Sequence, residues 1–272
     1  MPVLEPFTYE FMQRAYLAGV AVAIICPLIG VFLVLRRLSL LADGLGHVTF
    51  AGLAAGFLLG IYPLFAALIA AMVGAIGIER IRTRGKIAGD AAIAMFYTAG
   101  LAIGVVLISR AGGFNVNIIG YLFGSIAAVA TEDLIAVVTL VAIVVGLTML
   151  FYKELLYLTF DEASARAAGL PAALVNTLLA ALAAVTTVAA MRIVGLLLVS
   201  SLMVIPALTA IRLASSFRQT LLIAVATAQI AVLVGLTASF YLDTAPGGTI
   251  VLTALALFAV AALVEGRRAR KA

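Results

Sequence analysis

The sequence predicts an all-α, polytopic membrane protein with roughly eight to nine transmembrane helices and one short re-entrant helix. Three observations carry that expectation. Of 272 residues, 65% are hydrophobic and only 11% charged, with a mean hydropathy of +1.28, whereas soluble domains carry about 25% charged residues. The apolar runs are continuous and of spanning length, where a β-barrel would show short alternating segments. Basic residues gather in the short connections between runs, as the positive-inside rule requires of the cytoplasmic face. The net charge of +5 is therefore no sign of nucleic-acid binding.

The first run, 11–35, contains the only cysteine, Cys26, which excludes an internal disulfide or thiolate cluster and reads as a small buried hydrophobe. Ahead of it, Met1 to Glu10 carries Glu5 and Glu10 and no basic residue, so no cleavable signal peptide is expected. Arg36 and Arg37 mark its far end as cytoplasmic. The second run, 39–60, holds Asp43, His47 and the series Gly52, Gly56, Gly60. The third, 62–80, follows the short outer connection Gly60 to Pro63 and closes in a basic loop from Arg80 to Lys86. The fourth, 90–109, ends at Arg110, on the outer side against the charge rule. The run 116–130, with Gly120, Gly124 and Ser125, is too short to span comfortably and is expected to be re-entrant or broken. Run 133–152 returns to the cytoplasm, where 153–171, with Lys153 and Arg166, forms the longest polar connection. Runs 173–190 and 193–213 are separated outside by Met191 and Arg192, a second exception to the rule. Arg212 and Arg218 mark the next cytoplasmic turn. The last runs, 219–241 and 249–265, are joined outside by Asp243 to Gly248 and lead into a basic tail from Arg267 to Lys271. The count places the N-terminus outside. With no repeat, low-complexity tract or soluble module, residues 1–272 read as one transmembrane domain.

The only histidine, His47, stands four residues after Asp43 inside an apolar run. A carboxylate at the middle of a bilayer costs roughly 2.5–3.5 kcal/mol on insertion scales, so it marks function by default. The i, i+4 spacing stacks both side chains on one helix face. Carboxylate and imidazole are ligands that zinc and manganese accept. Two ligands do not complete a zinc shell, so either waters finish it or a second copy of the helix supplies another pair across a twofold axis. An Asp–His proton relay, or a hydrogen bond that merely locks two helices, has the same sequence signature. Gly52, Gly56 and Gly60 fall on roughly the opposite side of the helix and suit close packing there.

Two cytoplasmic segments are candidate docking surfaces. In 160–171, Asp161 and Glu162 open a short amphipathic helix and Gly169 with Pro171 close it; a solvated connector has the same pattern. In 205–218, small, apolar and basic residues follow the helix-breaking Pro206. The sequence has no G-x-x-x-x-G-K-[ST], H-E-x-x-H or G-x-S-x-G motif, so neither ATP hydrolysis on a phosphate loop nor another enzyme activity is expected.

At these residues the chain resembles the membrane permease subunits of bacterial zinc and manganese ABC importers. The matching stretches are Leu35 to Asp43 running into His47 and Ala51-Gly52, Tyr121-Leu-Phe-Gly-Ser125, Lys153-Glu-Leu, Phe160 to Pro171, Val194 to Pro206, Ser239 to Asp243, and Pro246-Gly-Gly. They cover nearly the whole chain in order. The resemblance implies a multi-pass protein of the bacterial cytoplasmic (inner) membrane, with a fold similar to that of the vitamin B12 and siderophore importers. It further implies a homodimer, a cytoplasmic ATP-binding subunit on each copy and an extracytoplasmic metal-binding protein. The family's metal ligands fall on Asp43 and His47, and no permanent cofactor is implied beyond the transported Zn²⁺ or Mn²⁺. Its ATPase contacts fall on Pro206, Thr209, Arg212, Ser215, Phe217 and Arg218, with Asp161, Glu162 and Arg166 as secondary contacts. His47-Val-Thr-Phe-Ala-Gly52 resembles zinc-type members more than manganese-type ones. Gly44 and Gly46 depart from the family, where larger or hydroxyl residues are common, and each glycine costs roughly 1 kcal/mol of helix stability against alanine. The rival functions are a proton-coupled secondary cation transporter, a permease of the same fold for a siderophore or cofactor, and a membrane assembly factor whose Asp–His pair is structural.

Overall fold

The computed structural model describes residues 6–83, 88–111, 113, 116–126 and 129–269. Arg84, Lys86, Arg270 and Lys271, and the side chains of Arg267 and Arg268, lie outside that description. All regular structure among the described residues is helical. Among the described residues eight helices are long and apolar enough to cross a membrane: α1 (Glu10–Leu35), α2 (Leu40–Leu59), α3 (Pro63–Thr83), α4 (Gly89–Arg110), α6 (Thr131–Leu150), α9 (Ala172–Ala190), α11 (Phe217–Leu242) and α12 (Pro246–Ala269). Between them lie α5 (Val116–Phe123), the short pair α7 (Tyr152–Phe160) and α8 (Glu162–Ala167), and α10 (Val199–Leu213). Helices α1, α2 and α9 form the most buried part of the bundle, and α4, α6 and α12 its periphery. The expected polytopic all-α architecture is thus the observed one.

Two expectations need correction. The run 193–213 is not one helix, because residues 191–198 are turns and α10 begins only at Val199. Here Gly195 takes φ +86°, and Gly124, just after α5, takes φ +81°. These two unwound stretches pair with each other. Leu196 donates its N–H to the Tyr121 carbonyl at 2.9 Å, Leu197 to Leu122 at 3.2 Å, and Ser125 to Arg192 at 3.3 Å. Non-helical backbone persists at membrane depth only where protein satisfies it in this way. A Cβ on Gly195 would stand 2.4 Å from the Phe123 carbonyl carbon, and one on Gly247 would stand 1.8 Å from the Val194 oxygen. Three stretches that carry the family resemblance, around 121–125, 194–198 and 246–248, therefore meet at one junction.

Gly195→Ala is expected to cost more than the roughly 1–2 kcal/mol of a left-handed backbone alone, since the clash adds to it. The check is thermal unfolding in detergent against Gly146→Ala in α6, where a Cβ meets nothing within 4 Å and the change should be neutral or stabilising.

The second correction concerns Pro206, which does not end a helix but lies inside α10. It is buried, as is Thr209 on the next turn. Ala207 and Ala210 pack on Leu28 and Val31 of α1 and on Leu221 and Ala224 of α11. This packing on two neighbouring helices holds the helix together across the donor that proline lacks.

Candidate metal site

Helix α2 runs unbroken through Gly44 and Gly46. A close neighbour explains Gly44, where a Cβ would lie 2.9 Å from the Ile93 side chain of α4, whereas one at Gly46 would make an ordinary 3.4 Å contact with the Leu196 carbonyl. On the other side, Gly52 and Gly56 let α3 approach, with Ala66, Ala67 and Pro63 within contact of the missing Cβ atoms. Gly60 does not join that packing face. It is the left-handed C-cap, at φ +67° with open space around it.

Asp43 and His47 sit in the first two turns of α2, both half-buried. Among the described residues neither makes a hydrogen bond, and His47 Nδ1 is buried with no partner. A hydrogen-bonded helix lock is therefore not what this structure contains. An unsatisfied imidazole nitrogen beside a carboxylate one turn away is a donor set that suits a borderline divalent cation. Among the described residues no group of three or more His, Cys, Asp or Glu could hold a metal. The His47 ring lies 3.9 Å, centroid to centroid, from that of Tyr97 on α4.

The charge exception Arg192 is explained by a partner that sequence reading missed. Arg192 pairs with Asp133 at 2.9 Å, the two side chains being 16% and 2% exposed. Asp133 also accepts from the Tyr62 hydroxyl at 2.8 Å and from the Ala130 N–H at 3.1 Å. The Arg192 guanidinium lies over the Tyr121 ring, 4.1 Å from its centroid.

In the connection between α6 and α9, Asp161 caps α8 by accepting the Ser164 N–H at 2.9 Å. Glu162 accepts from Arg166, from Arg36 at 3.2 Å and from Asn176 at 3.2 Å, and Arg36 also donates to Asn176 at 2.6 Å. Burial pushes the Glu162 carboxyl up, but the hydrogen bonds of Arg166 and Asn176 and the charge of Arg36 outweigh it and hold it below the ordinary range. The other expected contacts divide. Pro206 and Thr209 are buried, Phe217 packs on Phe32, Tyr152 and Phe160, and Arg212 pairs with Glu265 at 2.7 Å. Ser215 and Arg218 are exposed.

A carboxylate and an imidazole one turn apart inside one spanning helix, beside locally unwound segments, are features of a membrane permease. The chain belongs to the ABC 3 transport family, which matches residues 8–265, and the resemblance read from the sequence is borne out. It is a multi-pass permease subunit of the metal-ion ABC importer type. Over 264 residues it is 38% identical to a protein of Treponema pallidum named "Probable metal transport system membrane protein", covering 96% of this chain and 98% of that one. Over 254 residues it is 34% identical to the manganese transport system membrane protein MntC of Halalkalibacterium halodurans, covering 93% and 87%. Its fold matches a chain in the solved structure of PsaBC from Streptococcus pneumoniae with a Fab, at a TM-score of 0.87 and 30% identity over 96% and 94% of the two chains.

Proposed function

We propose that this chain imports a first-row divalent metal ion, manganese ahead of zinc, through a pathway on the axis of a homodimer. The observation that carries the proposal is the Asp43/His47 pair, placed one above the other in α2 and left without hydrogen-bond partners. Two copies give two carboxylates and two imidazoles around one ion, which closes the shell that a single chain leaves open. The relative named for manganese transport moves the balance from the zinc preference read in 47–52, and the ligand types suit either metal. An extracytoplasmic metal-binding protein delivers the ion. ATP hydrolysis takes place on a separate cytoplasmic chain and drives alternating access.

The surface for that ATPase combines α8 with the exposed part of 205–218, at Arg212, Ser215 and Arg218, since Pro206 and Thr209 are buried in α10. A push on α8 passes through Glu162 to Arg36, four residues before α2 and its metal ligands begin. Glu162→Ala is expected to lower transport per ATP hydrolysed by roughly 5- to 150-fold, the usual span of a coupling energy, while hydrolysis continues. The check is uptake and phosphate release measured together in proteoliposomes. Because the Glu162 pKa is depressed in the folded chain, its hold on α8 is complete above the ordinary carboxylate pKa and is lost as pH falls through the lowered value.

The functional reading itself is tested by ⁵⁴Mn uptake into vesicles that hold the permease, its ATPase and its binding protein. Uptake should stop when ATP is withheld. Uptake that ignores ATP and collapses with a protonophore would establish the proton-coupled rival.

A further inference from the structure

We infer that Tyr97 of α4 is the positioning residue that sets the direction of the His47 imidazole. The inference rests on the reading of Asp43 and His47 as metal ligands. A metal-binding histidine is ordinarily aimed by a hydrogen bond from its second ring nitrogen to a carboxylate or carbonyl, which fixes both tautomer and ring rotation. His47 has no such bond among the described residues, and its Nδ1 is buried unpaired. What restrains the ring is an aromatic face. The Tyr97 centroid lies 3.9 Å away, with the planes inclined at 55°.

The α4 backbone is brought close enough for this by Gly100, one turn after Tyr97. A Cβ there would stand 2.6 Å from the His47 carbonyl carbon and oxygen. Gly104, a further turn on, makes the same allowance for the Phe50 ring. The result is a helix pair clamped at the level of His47, with Tyr97 leaning over the imidazole. Tyr97 is itself 39% exposed, so it borders the open side of the ligand pair and is not part of the bundle core. Two χ angles and a broad ring make tyrosine a low-entropy wedge. Its contact restricts the imidazole rotation that the missing hydrogen bond leaves free.

Mn²⁺ titration of the full-length permease in nanodiscs, followed by loss of the free-ion EPR signal, tests this. The variants are Tyr97→Leu, Tyr97→Phe and His47→Ala, with the melting temperature of each metal-free protein measured alongside. Tyr97→Leu is expected to weaken Mn²⁺ binding by about 10- to 100-fold, the usual effect of losing a group that orients a ligand. Tyr97→Phe, which keeps the ring, should bind as wild type. A helix-packing role alone would lower the metal-free melting temperature of Tyr97→Leu and leave the affinity untouched. Wild-type affinity in Tyr97→Leu therefore overturns the inference, as does equal weakening in Leu and Phe, which would assign the effect to the hydroxyl. Undiminished binding in His47→Ala would overturn the metal-site reading and this inference with it. Lost binding in His47→Ala with normal binding in Tyr97→Leu sinks the inference alone.

Discussion

His47→Ala and Asp43→Ala should each reduce ATP-dependent metal uptake by more than about 100-fold, beyond the usual cost of disturbing an orienting group around a metal. The loss should be this large because, in the twofold-symmetric site proposed above, each substitution removes two ligands at once, leaving either two carboxylates or two imidazoles. It should also be selective. Neither side chain makes a hydrogen bond to a described residue, so neither substitution strands a buried polar partner, and both variants should insert, assemble and bind the ATPase as wild type does. Uptake assayed beside size-exclusion profiles of the purified complex separates the two effects. Uptake near wild type in both variants would remove Asp43 and His47 from the pathway.

The second large effect is expected at the Asp133–Arg192 pair. Asp133→Ala leaves the Arg192 guanidinium buried without its counter-charge, and breaking such a pair costs about 3–5 kcal/mol. The same substitution takes an acceptor from Tyr62 and from the Ala130 amide. Four pieces of chain lose a common anchor: the turn between α2 and α3, helix α5, the start of α6 and the unwound stretch after α9. Thermal unfolding in detergent should show a marked drop for Asp133→Ala. The apolar pair Asp133→Leu with Arg192→Met should recover most of it, because it removes the stranded charge. An unchanged melting temperature in Asp133→Ala would mean that the pair is solvated and not structural.

The spanning helices were legible because each is a continuous apolar run bounded by charge or glycine. The Asp43/His47 pair was legible because polar residues at helical spacing stand out in such a run. What escaped reading was whatever depends on two distant segments meeting. The break at 191–198 looks apolar in sequence, and only the pairing of Leu196 and Leu197 with Tyr121 and Leu122 makes an unwound backbone tolerable there. Pro206 reads as a helix breaker because the packing of α10 on α1 and α11 is invisible locally. Arg192 was seen as an exception to the charge rule, and that anomaly was the available signal for a buried acidic partner. Asp133 supplies it from the start of α6, where a carboxylate otherwise reads as an ordinary first-turn acid. Tyr97 carried no signal in the sequence, since an aromatic in an apolar run is unremarked. Arg36 was noticed for its charge, and its place in the Glu162 and Asn176 network follows only from the fold.

The claim on which the rest depends is that two copies of the α2 ligand pair share one ion. It is tested most directly by counting metal. The permease is equilibrated with Mn²⁺, freed of excess, and assayed by elemental analysis against protein concentration, wild type beside His47→Ala. One ion for every two chains in the wild type, and none in the variant, is the expected result. One ion per chain, or a half-equivalent that survives His47→Ala, would contradict it.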